Sequence, residues 1–165
     1  MTTPSADMAE VALTLLDAGA GEPRAEQFQL WLQTALDASG IALPPCVEVT
    51  IQIVDQLQSA ELNEQFRGKS GATNVLSFPF SAMTPEPLPI LGDLAICAPL
   101  VVAQAQAQGK TALSHWAHLT VHGLLHLCGY DHIEEPQAEA MESLERQIMA
   151  QLGFADPYLL PSQSA

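Results

Sequence analysis

The sequence predicts a single α+β domain, a mixed sheet of about four strands packed against helices, with a buried central helix that carries metal-binding histidines. Three observations predict it. Residues 47–54 (VEVTIQIV) alternate valine and isoleucine with Glu48, Thr50 and Gln52, the period of a strand with one buried face. Residues 111–128 are apolar nearly all the way round a helix, which marks a helix inside the molecule. The 165 residues contain no internal repeat and no inter-domain linker, and a chain of that length buries about 70% of its unfolded surface in one core.

The other elements follow in chain order. Residues 9–17 (AEVALTLLD) alternate well enough for a first strand, which Gly19, Gly21 and Pro23 break. Residues 24–38 place Phe28, Trp31, Leu32, Ala35 and Leu36 at helical spacing and end near Gly40, with Trp31 expected as a core anchor. A short helix is expected over 56–66, then a glycine-rich, flexible loop over 67–73 (RGKSGAT). NVLSFPF (74–80) reads as a strand whose Pro79 suggests a sheet edge or a strand terminus. A proline-rich connection (81–89) leads to the strand LGDLAIC (91–97), and a helix over 99–109 stops at Gly109. The last helix covers about 134–151. Its many glutamates read as a solvated face over Met141, Leu144, Ile148 and Met149. The whole chain, 1–165, is expected to be one domain, with a tail from about 156.

Composition narrows the function. Net charge is −14, with only Arg24, Arg67, Lys69, Lys110 and Arg146 as fixed cations. That weighs against holding nucleic acid by bulk electrostatics, since Lys and Arg contacts to phosphate dominate such affinity. No apolar run approaches the roughly 18 residues of a membrane span, so no membrane association is expected. The N-terminal residues show no basic-then-apolar secretory pattern. Cys46, Cys97 and Cys128 are odd in number and lack CxxC spacing, which fits a reducing, cytoplasmic location. Cys128 is read as a small apolar filler.

The chemistry concentrates in His122-Gly123-Leu124-Leu125-His126-Leu127-Cys128-Gly129-Tyr130-Asp131-His132. His122 and His126 stand one helical turn apart on the same face. Gly129 can end the helix in the left-handed conformation, and the chain can then fold back to present His132 as a third ligand. Three protein ligands and one open position describe a catalytic zinc-type site. The frame HxxxHxxGxxH is that of metzincin proteases, whose second position is a glutamate acting as general base. Here that position is Gly123, so the site should activate water toward another electrophile.

Four histidines, His115, His118, His122 and His126, form one stripe of the central helix at 100° per residue. His115 lies about 16 Å of helix rise from His126, too far to share an ion with it. His118–His122 is a competing pair. His132, reachable only from the C-terminal end, favours His122, His126 and His132. His118 is then either a core histidine hydrogen-bonded to backbone or a group lining the cleft beside the metal. Asp131 either orients a ligand imidazole or serves the turn.

These residues resemble a known family. HGLLHLCGYDH, preceded by AHLTV, is similar to the signature of the YbeY family of bacterial endoribonucleases. LNEQFRGKSGATNVLSFPF (62–80) and LGDLAIC (91–97) resemble its two other blocks, in the same order. The resemblance implies one catalytic metal, zinc, on His122, His126 and His132, with Arg67 in the cleft contacting the RNA phosphate. The residues support Arg67 separately: it is a guanidinium in a glycine-containing loop of an acidic chain, and it matches phosphate bidentately. Lys69 is a possible helper. The resemblance further implies cleavage of single-stranded RNA in maturation of the 3′ end of small-subunit ribosomal RNA and in ribosome quality control, with the small subunit or its assembly factors as partners. With Gly123 in place of glutamate, the general base must come from activated water, the RNA 2′-hydroxyl, or a neighbour such as His118. Two other classes compete: a metalloprotease-like hydrolase, which lacks its glutamate here, and a non-catalytic ribosome assembly factor with a structural metal, which would ordinarily close the fourth position.

Overall fold

Alternation in four short segments builds a four-stranded sheet in the order β1-β2-β4-β3, from β1 (Glu10–Leu16), β2 (Cys46–Val54), β3 (Val75–Pro79) and β4 (Ile90–Cys97). The computed structural model describes residues 9–17, 19, 22–41, 43–80, 90–130 and 134–158. β1, β2 and β4 run parallel, and β3 joins β4 antiparallel, so the sheet is mixed. β3 lies at the edge, as a strand ending in Pro79 must, since proline donates nothing to a ladder.

The helices are α1 (Ala25–Ser39), α2 (Gln56–Arg67), α3 (Ala98–Gln108), α4 (Ala112–Leu127) and α5 (Glu135–Gln151). Every expected element is present within a residue of its expected bounds. The inward side chains of β2, Val47, Val49, Ile51 and Ile53, pack with Phe28, Leu32 and Leu36 of α1, Leu124 and Leu125 of α4, and Met141 and Ile148 of α5. Trp31 anchors this core, its ring edge-on to Phe28 at 5.5 Å. The other face of the sheet carries a smaller cluster of Val54, Leu76, Ala95 and Cys97 under Leu62 of α2 and Leu100 of α3.

α4 has ten buried residues in its 16, which is why its pattern shows no polar face. Thr111 caps it, its hydroxyl accepting from the Ser114 amide at 3.1 Å. Losing such a cap costs about 1 kcal/mol. The other end closes at Gly129, at φ 98°: the Tyr130 amide donates to the Leu125 carbonyl and the Gly129 amide to that of His126, both at 3.0 Å. The turn glycine thus acts as its position predicts. Gly123 has a different reason to be glycine. A Cβ there would lie 2.7 Å from Cδ2 of the buried Leu94, so a side chain at the position where metzincins carry their base would require Leu94 to shift.

Candidate active site

Two elements meet to form the cleft: the C-terminal half of α4 and the turn that follows α2. Along α4, His122 and His126 bring their Nε2 atoms to 3.2 Å of each other. Two nitrogens about 2.05 Å from a tetrahedral ion stand roughly 3.3 Å apart, so this pair fits the edge of a zinc-type coordination shell. His132 and Asp131, the other motif residues expected here, lie outside the described residues.

Arg67 is the last residue of α2, followed by Gly68 in the left-handed conformation at φ 67°. The loop beyond, expected to be flexible, is tied to α2. The Ser59 hydroxyl donates to the Thr73 carbonyl at 2.8 Å and accepts from the Thr73 amide at 2.9 Å, and the Asn63 side-chain amide donates to the Gly71 carbonyl at 2.9 Å. Ser59 and Asn63 are buried for that purpose. Their spacing on α2, one helical turn, is the signal in the sequence that marks such a tie. The result is a cleft of about 700 Å³ lined by Arg67, Lys69, His122, His126 and Tyr130, which brings together two of the chain's five cations and the two histidines. No carboxylate pairs with Arg67 among the described residues.

Behind the histidines the structure departs from expectation. Glu145 of α5 is fully buried, not part of a solvated face. It follows Met141 by four residues and precedes Ile148 by three, and that apolar stripe was the available signal. Its carboxylate accepts a hydrogen bond from Nδ1–H of His122 on one oxygen and from the Tyr158 hydroxyl on the other. His118 brings Nε2 to 3.6 Å from the same carboxylate, beyond hydrogen-bond range, and neither of its ring nitrogens has a hydrogen-bond partner among the described residues. Among the described residues His118 thus makes no backbone hydrogen bond of the kind expected of a core histidine. Burial alone would push the Glu145 carboxyl up, but the His118 and His122 rings outweigh it and hold it below the usual carboxylate range. Burial, and then Glu145 as acceptor, raise the Tyr158 hydroxyl, which stays a donor. Tyr158 falls where a tail was expected. Instead Asp156, 3.2 Å from Arg146, helps fix the segment against α5.

His118, His122 and Glu145 thus form a group that could hold a metal ion, their ligand atoms all within 4.8 Å of one another. His115, further back, is buried with Nε2 2.9 Å from Oε1 of Gln104. Burial, with His118 and Lys110 nearby, lowers its pKa to about 4, so it is neutral at pH 7. Cys128 is half-buried against the core, and burial pushes its thiol up to about 11, in keeping with a filler.

With this geometry described, similarity to known proteins decides the family. The profile described as Endoribonuclease YbeY matches residues 19–153. The chain belongs to the YbeY family. It is 52% identical over 146 residues to a protein of Alkalilimnicola ehrlichii named Endoribonuclease YbeY, covering 87% of each chain. Its fold is similar to a solution structure from Thermotoga maritima, with a TM-score of 0.55 and 23% identity over 90% of this chain and 99% of that one. The histidine stripe, Arg67 and the buried Glu145 therefore sit in a YbeY-family domain. No helix among the described residues is long and apolar enough to cross a membrane.

Proposed function

We propose that this protein is a metal-dependent endoribonuclease that cleaves single-stranded RNA in maturation of small-subunit ribosomal RNA in the cytoplasm. The observation that carries the reading is the convergence of His122, His126 and Arg67 on one cleft. His122 and His126 would hold one zinc ion through Nε2, with His132 as the third ligand. The His118–His122–Glu145 group supports that site from behind: Glu145 and His122 are in hydrogen-bond contact, so the space between them holds a proton. By accepting from Nδ1–H, Glu145 leaves the lone pair of His122 on Nε2, the carboxylate–histidine arrangement that orients metal ligands.

A zinc ion held there would supply Lewis acidity toward a phosphoryl oxygen and lower the pKa of water. Arg67 binds the scissile phosphate and stabilises the charge that builds on it in the transition state. Lys69 adds positive potential at the cleft mouth. A glutamate base cannot come from position 123, where Leu94 fills the space. The attacking oxygen is that of water or of the RNA 2′-hydroxyl. In the second case the 2′-oxygen gives up its proton, bonds to phosphorus and displaces the 5′-oxygen of the next nucleotide, which takes up a proton, and a 2′,3′-cyclic phosphate product identifies it.

The experiment is cleavage of small-subunit ribosomal RNA by the purified protein beside His126→Ala and Arg67→Ala. Cleavage is expected to vanish in His126→Ala and on chelation, and kcat to fall about 10²–10³-fold in Arg67→Ala with the fold retained, the range for losing one transition-state charge contact. Equal cleavage by all three proteins would end the proposal. The small ribosomal subunit or its assembly factors are the proposed partners, since a chain of net charge −14 has little general attraction for a polyanion.

A further inference from the structure

Three aromatic rings that no catalytic role accounts for lie beside the cleft. Phe66 is 57% exposed and Phe80 44% exposed, an uncommon expenditure of aromatic surface in a chain with five phenylalanines. Phe66 meets Phe78 edge-on, ring centroids 5.2 Å apart. The pair straddles α2 and the edge strand β3, with Phe80 two residues further along. β3 divides its residues between two surfaces. Val75, Ser77 and Pro79 line the cleft, Leu76 borders both the cleft and the smaller cluster, and Phe78 packs toward α2 with Leu62. The aromatic patch and the cleft therefore share the β3 edge. They share α2 as well, because Phe66 directly precedes Arg67, and successive helical residues leave the axis 100° apart.

We propose that Phe66 and Phe78, extended by Phe80, form a stacking platform for an unpaired nucleobase of the RNA strand whose phosphate is held at Arg67. The proposal rests on the ribonuclease reading for the identity of the strand. Charge makes stacking the contact this chain has to offer. Among the described residues, Arg67 and Lys69 are the only Lys or Arg side chains lining the cleft, and α2 also carries Glu61 and Glu64, so the flank of the helix is no basic surface. Base–aromatic stacking needs no charge and tolerates any sequence, since every base has a π-face. It also requires the base to be out of a duplex, which selects single strands. A phosphate at Arg67 then places its neighbouring base against the adjoining flank of α2, where Phe66 stands.

The test mixes the metal-loaded full chain with single-stranded RNA carrying 2-aminopurine at successive positions, and reads fluorescence in the first seconds. The platform predicts quenching at one position. Phe66→Leu, which keeps apolar volume and removes the ring, is expected to weaken binding about tenfold and abolish that quench. Phe66→Trp should restore both, and binding to a duplex of the same sequence should be the same in all three proteins. Wild-type affinity in Phe66→Leu, or an equal loss on duplex, overturns the platform. So does a dimer in sedimentation that Phe66→Leu dissociates, because a second copy would then be the occupant. Phe66-dependent binding with no cleavage would uphold the platform and end the ribonuclease reading. Cleavage with unchanged KM in Phe66→Leu would do the reverse.

Discussion

The two nitrogens of His122 look into different surroundings. Nδ1 faces inward to Glu145, a fully buried carboxylate that also accepts from Tyr158, with His118 close by. Nε2 faces His126 across 3.2 Å, beside a cleft that Arg67 and Lys69 share. On the inner side the groups hold protons in place, and on the outer side they present lone pairs and positive charge. A buried carboxylate is costly unless it is fully paired. Here that cost is offset by fixing the tautomer and ring orientation of a residue that the outer side uses. One helical turn can thus be part of the core and part of the chemistry.

The comparison breaks most sharply at the histidines. His122→Ala removes a residue common to both sides, so activity should fall to background and the melting temperature should drop as well, because Glu145 loses a partner in the interior. His126→Ala leaves the Glu145 contact in place and should abolish activity with a smaller drop in the melting temperature of the metal-free protein than His122→Ala. Calorimetry of the two metal-free variants decides it: equal destabilisation would erase the distinction between the sides. A smaller effect sharpens the link between them. Glu145→Gln keeps shape and removes charge, and should weaken zinc binding about 10–100-fold in competition with a chromophoric chelator. Unchanged affinity would mean that the carboxylate serves packing only.

The smallest effect on activity at neutral pH comes from the rear of the stripe. His115 has its pKa lowered to about 4 from 6.5, so the unfolded chain binds its proton first. Its contribution to stability is complete above pH 6.5 and is lost as pH falls toward 4, with a slope of up to about 1.4 kcal/mol per pH unit. Urea unfolding across that window should show the slope, and His115→Gln should flatten it. An identical pH profile in the variant would remove His115 from the account.

Much of this was legible in the sequence because it is periodic or local. The alternation of β2, the all-round apolarity of α4, the edge position forced by Pro79 and the helix stop at Gly129 depend on neighbours within a few residues. The one-turn spacing of His122 and His126 is equally local. Where the reading fell short, the deciding partner was distant in sequence. Glu145 resembles its exposed neighbours on α5 until α4 is laid against it 23 residues away, and Tyr158 resembles a tail until its hydroxyl finds Glu145. The 67–73 loop is flexible by composition and fixed in fact, because Ser59 and Asn63 reach across to its backbone.

By itself, then, the sequence determined which elements form, where they end, and that the histidines lie in one stripe of the central helix, since propensity, period and turn conformation act over short range. Only the tertiary structure decided which nitrogen of His122 faces the cleft, which glutamate lies in the interior, and that Arg67 stands opposite the histidines. Those outcomes depend on burial and on hydrogen bonds between elements, which exist only after α2, α4 and α5 have packed around the sheet.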